Sequence, residues 1–129
     1  MPDVLAGDVM ISDVFTVTGE SKVAYARLIM LRHNIGALPV VGRNNILVGI
    51  ITQRDIDLAG EGVSDLLVSD LMTRALIKAK KTTPLRWIAE RMIKTGIQRI
   101  PVVNEKSRLL GLVTQTCVIK AALTHSLMK

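Results

Sequence analysis

The segment VGIITQRDI (48–56) ends an apolar run on Thr52 and places Asp55 one helical turn later. Where a strand stops and a helix begins, the first N–H groups of the helix lack partners. Together with the helix dipole they form a site for an anion, commonly phosphate. Thr52 adds a hydroxyl at that point. Gly49, without a side chain, lets another backbone or a ligand approach the strand closely. Asp55 repels phosphate, but its carboxylate is an acceptor suited to paired ribose hydroxyls. Phosphate donors and a hydroxyl acceptor one turn apart suit a nucleotide. The same Thr-x-x-Asp spacing is also close to a capping box, in which both side chains merely satisfy the helix end. The spacing alone leaves both readings open.

A related turn returns 62 residues later as LGLVTQTCV (110–118). Gly111, Thr114 and Gln115 are retained, but Thr116 and Cys117 stand where Arg54 and Asp55 stood. A thiol is no substitute acceptor for ribose hydroxyls. As a single cysteine, Cys117 reads more readily as a small core residue than as a nucleophile or redox sensor.

No catalytic constellation accompanies these turns. His33 and His125 are far apart in sequence, without metal-ligand spacing, and His33 falls late in a helix. No cysteine cluster, Gly-rich Lys loop or H-E-x-x-H pattern occurs. Asp8 and Asp70 recur, and their place at the start of each copy reads as a helix cap. The chain reads as a non-enzyme that requires no cofactor and acts through a partner or another copy of itself.

At 129 residues the chain can bury a core without staples. Only Phe15, Tyr25 and Trp87 are aromatic, so the core must be built from Val, Ile, Leu, Ala and Met. One cysteine permits no intrachain disulfide, no signal peptide is visible, and charged residues interrupt every apolar run. These features fit a soluble cytoplasmic protein with no membrane association. Charge is uneven: residues 1–62 carry net −2 and residues 63–129 net +8, giving the overall +6. The second half is either a solvated basic surface or a face for an anionic partner.

The elements that position the two turns follow from an internal repeat. Shifted by 62, Asp8 falls on Asp70, Met10 on Met72, Met30 on Met92, Ile35 on Ile97, and LPVV (38–41) on IPVV (100–103), without a gap. The repeats are placed at residues 1–62 and 63–129. In each, a helix is expected from Ser21 or Thr83, with Thr83 capping and Pro84 at the first helical position. Val23, Ala26 and Met30, and likewise Leu85, Ile88 and Met92, have helical spacing and mark its buried face. A strand ALPVV or RIPVV follows, its proline suggesting an edge or strand-start position. After a polar turn come a second strand and a helix from Gln53 or Gln115. The fold class is α/β (α+β), with two units packing their sheets together about a pseudo-twofold axis.

The pieces GDVM (7–10), RLIMLRHNIGALPVV (27–41) and LVGIITQRDI (47–56), with SDLM (69–72), ERMIKTGIQRIPVV (90–103) and LLGLVTQ (109–115), resemble the cystathionine β-synthase-type (CBS) repeat. Two such repeats form a Bateman module. The resemblance spans about residues 7 to 125 and implies tandem β-α-β-β-α units that often dimerise again. It also implies that a Gly-x-x-[Ser/Thr]-x-x-Asp turn faces a cleft between repeats, where Thr52 would contact phosphate and Asp55 ribose of an adenosine nucleotide. The partner repeat would supply Ile77, Ile97, Gln98 and Arg99. Arg99 is chemically apt, a fork of donors matched to phosphate oxygens, although an exposed edge-strand charge is its plain alternative. Lys78 and Lys80 are weaker candidates. The second cleft, with Thr114, Cys117, Phe15, Ile35 and Gly36, lacks both the carboxylate and the equivalent of Arg99. It is expected to be weak, empty or tuned to something else.

Three functions are thereby expected, in this order. The first is a regulatory module sensing AMP, ADP, ATP or a related adenosyl ligand, acting as a homodimer on a protein target in trans. The second is a ligand-free dimerisation scaffold. The third is nucleic-acid binding through the basic half, disfavoured by the near absence of aromatic residues for stacking.

Overall fold

The computed structural model describes residues 3–126, without the side chains of residues 125 and 126. The outer ends of the two expected repeats and the His125 side chain therefore lie outside the described residues. Helices α1 (Ala6–Val9) and α2 (Val23–His33) lead to strands β1 (Ala37–Val41) and β2 (Leu47–Thr52) and to helix α3 (Gln53–Ala59). The same order returns as α4 (Val68–Leu71), α5 (Leu85–Thr95), β3 (Arg99–Val103), β4 (Leu109–Thr114) and α6 (Gln115–Ala121). The fold is thus the expected mixture of helices and small antiparallel sheets.

β1 pairs with β2 and β3 with β4 in the same register, Ala37 opposite Thr52 and Arg99 opposite Thr114. Pro39 sits in mid-strand rather than at its start. It lies opposite Ile50, whose own N–H and C=O turn away from β1 to exchange bonds with Thr73. No N–H is therefore asked of Pro39 toward β2. On its other side, among the described residues, β1 meets one residue, Val17, in a parallel bridge to Val40; Ala79 bridges Val102 in the same way. The leading strand expected of each repeat is that single bridge.

Two compact units result, and they do not follow the repeat boundary. One comprises residues 15–76, the other residues 1–14 with 77–129. Each is completed by the leading segment of the other repeat. This also explains the helix starts. Thr83 does not cap α5: its hydroxyl accepts from the Lys80 N–H, and Pro84 occupies the N-cap position. The first free donor of α5, the Leu85 N–H, goes to the Val4 carbonyl at 2.8 Å, and that of α2, the Val23 N–H, to the Leu66 carbonyl at 2.9 Å. Backbone from an exchanged segment does the work that a Ser or Thr side chain does elsewhere. Asp8 and Asp70 do cap, from inside the short helices, by accepting the N–H of Leu5 and Leu67.

The expected helix faces are buried, Val23, Ala26 and Met30 in one core and Leu85, Ile88 and Met92 in the other. Both cores are aliphatic, with no buried polar or charged residue among those described. No helix among the described residues is long and apolar enough to cross a membrane.

Candidate functional site

β2 ends at Thr52, and the Gln53 N–H then donates to the Gly36 carbonyl at 2.8 Å, pinning the strand-to-helix turn against the segment before β1. The Asp55 N–H donates to Thr52 Oγ1 at 3.1 Å, and the Thr52 N–H donates to Asp55 Oδ2 at 3.0 Å. The capping box is therefore formed. It does not exhaust the carboxylate, which offers about four lone-pair directions and gives one to Thr52. Both residues are half-buried, so the acceptor is held still and still meets solvent.

Of the two approaches open to Gly49, the structure shows that of another backbone. A Cβ there would lie 2.9 Å from the Thr73 carbonyl oxygen and 2.8 Å from Met72 Sδ. Gly111 is covered in the same way by Ile11 and Met10. The recurrence of methionine at positions 10 and 72 carried the signal for this contact. Ile35 and Gly36 are half-buried in the same unit as Asp55, and exposed Phe15 stacks on His33 with ring centroids 3.9 Å apart. That stack has no counterpart in the sequence pattern.

The other unit holds Ile77, Ile97, Gln98, Arg99, Thr114 and Cys117. Here the Cys117 N–H donates to Thr114 Oγ1 at 3.2 Å, and the hydroxyl also meets Cys117 Sγ at 3.2 Å. The thiol is buried in the core beneath α6 and returns no bond to the Thr114 N–H. The Gln115 N–H binds the Gln98 carbonyl at 3.1 Å, matching Gln53 and Gly36. Thr116, Thr114 and Lys120 border a depression of about 320 Å³ beside this turn.

Arg99 opposes Thr114 across β3 and β4. Burial pushes its guanidinium pKa down from the ordinary value, because leaving water penalises the charged form. Among the described residues the one ion pair is Arg86 with Asp3, so no carboxylate offsets that cost at Arg99.

A duplicated antiparallel hairpin, each followed by a Thr-capped helix, defines this chain as a tandem α+β repeat protein with one carboxylate-bearing turn and one thiol-bearing turn. A family description of the CBS domain matches residues 6–61 and again 68–124, and the chain belongs to that family. Inosine-5'-monophosphate dehydrogenase of Thermoplasma acidophilum is 36% identical over 111 residues, which cover 86% of this chain and 22% of that enzyme. L-aspartate semialdehyde sulfurtransferase of Methanocaldococcus jannaschii is 34% identical over 88% of this chain and 22% of its own length. The chain thus spans about a fifth of these relatives. Among solved structures, the CBS domain pair of protein MJ0100, in complex with 5'-methylthioadenosine and S-adenosyl-L-methionine, superposes with a TM-score of 0.86 at 31% identity, covering 95% of this chain and 98% of that one. CBSX2 of Arabidopsis thaliana in complex with AMP gives 0.85 at 27% identity, covering 93% and 96%. This chain is a tandem pair of CBS domains.

Proposed function

We propose that the chain senses an adenosine-containing ligand, AMP, ADP, ATP or an adenosyl relative, through the turn that carries Thr52 and Asp55. The observation that carries the reading is the reciprocal cap, which holds a half-buried carboxylate in place with acceptor capacity to spare. Similar pairs hold AMP, or methylthioadenosine and S-adenosylmethionine, which supports the adenosine moiety as the shared element. Ile77, Ile97, Gln98 and Arg99 are the proposed further contacts, with Arg99 for phosphate. The turn with Thr114 and Cys117, together with Phe15, Ile35 and Gly36, is proposed as the weaker site. Ligand binding regulates a protein target only by favouring one of its states, since equal affinity for both shifts nothing.

Calorimetric titration with AMP, ATP and S-adenosylmethionine tests this. One site per chain that is lost in Asp55→Ala, with the fold intact by circular dichroism, is the expected result. No binding at millimolar ligand returns the turn to a cap and favours the scaffold reading.

We further propose that the module is a homodimer. Leu31 and Ile93, equivalent by the 62-residue shift, are 71% and 84% exposed at the same place on α2 and α5. Ile93 also borders an apolar groove with Met92, Val118 and Ile119. A repeated apolar protrusion suits a self-complementary surface.

A further inference from the structure

We propose that the hairpin turn between β3 and β4 and the segment 78–82 beside it form a binding site for an oligophosphate anion, a chain of linked phosphoryl groups. No residue of the Asp55 turn lines it. A concavity of about 530 Å³ is lined by Lys80, Lys81, Lys106 and Arg108, with Glu105 as its single carboxylate. It adjoins a second, of about 420 Å³, that shares Lys80 and adds Lys78 and Trp87. None of these cations has a carboxylate within 4.0 Å among the described residues. Gathering like charges in a hollow raises the local potential, and an anion relieves it.

The site is built rather than a loose fringe of lysines. The Ala79 bridge to Val102 brings the two segments side by side. Lys80 Nζ donates to the Asn104 carbonyl at 2.9 Å and is tied to the base of the turn. Asn104 Oδ1 accepts the N–H of both Lys106 and Arg108, at 2.9 and 3.0 Å, which fixes the turn presenting those side chains. Nor does the fold demand these charges. In the first repeat the equivalents of Lys78, Lys80, Lys81, Lys106 and Arg108 are Thr16, Thr18, Gly19, Asn44 and Ile46.

Cations on two walls of a hollow this size fit several linked phosphoryl groups better than one. A single-stranded nucleic acid fits less well, because stacking successive bases needs several aromatic faces, whereas Trp87 is the one aromatic residue lining these hollows and Arg91 sits over its ring at 4.7 Å.

Inorganic tripolyphosphate is the probe, titrated by calorimetry and followed through Trp87, the one tryptophan of the chain. Saturable binding that weakens with salt is expected, about tenfold weaker or more in Lys106→Ala/Arg108→Ala, since charged hydrogen bonds are lost. Asp55→Ala should bind the probe as tightly as the parent protein. Lys81→Ala, outside the hairpin, gives a second reading should the double variant lose its fold. Absence of saturation at millimolar probe, equal affinity in both basic-site variants, or loss of binding in Asp55→Ala would overturn the proposal. So would displacement of the probe, at matched charge, more readily by oligodeoxythymidylate or hexaglutamate than by unlabelled tripolyphosphate.

Discussion

Thr52 and Asp55 close a reciprocal pair of hydrogen bonds over the first turn of α3, whereas Thr114 and Cys117, in the same place on α6, close only one of the two with a backbone N–H. The repeats have therefore diverged where the turn can bind something. In one copy a carboxylate is fixed in reach of solvent; in the other a thiol has joined the core.

Asp55 consequently has two separable roles. Asp55→Ala removes the acceptor for the Thr52 N–H and should cost about 1 kcal/mol of stability, as cap losses do. Asp55→Asn keeps an acceptor for the cap and should unfold in urea close to the parent protein. Both should weaken AMP binding about tenfold or more, because the charged acceptor for ribose is gone. Denaturation and calorimetry on the two variants separate the roles. If Asp55→Asn binds AMP normally, the carboxylate is only a cap.

Gly49 and Gly111 are packing positions, and the two should respond unequally. An added Cβ at Gly111 would lie 2.5 Å from the Ile11 carbonyl oxygen, and at Gly49 2.9 Å from that of Thr73. Backbone held by bridging hydrogen bonds cannot move aside cheaply. Gly111→Ala should cost about 2 kcal/mol or more and Gly49→Ala somewhat less, by urea midpoint.

The strands, the buried helix faces and the turn at Gln53 were legible because each appears twice in register, and because period-two and helical patterns are local properties of the chain. The helix starts were not. Thr83 before Pro84 has the local chemistry of a cap, yet the Leu85 N–H is satisfied by Val4, which is remote in sequence. The exchanged segments carry no local signal for the same reason: residues 1–14 belong by sequence to one repeat and by packing to the other unit. Asp55 was legible as chemistry, but its spacing could not decide between cap and ligand acceptor, and the structure shows the cap in place.

Arg99 should prove costly to the free protein and useful to the liganded one. Its guanidinium is partly withdrawn from water without a carboxylate partner, which disfavours the charged form. Arg99→Met keeps the length of the side chain and removes that penalty, so the ligand-free thermal midpoint should hold or rise slightly. AMP affinity should fall about tenfold, as expected for loss of a charge-assisted phosphate contact, while adenosine affinity should hold. Equal losses for AMP and adenosine would assign Arg99 to something other than the phosphate.

Ile93 offers a direct test of self-association. At 84% exposure it contributes little to its own core, so Ile93→Glu should leave the circular dichroism of the folded chain unchanged. At a self-complementary interface the same change sets two carboxylates into apolar surroundings, one from each copy, and neither has a partner. Light scattering on a sizing column should then show the mass falling from dimer to monomer, with Leu31→Glu acting in the same direction from the equivalent place on α2. A dimer that persists through both substitutions would move the interface away from these helices.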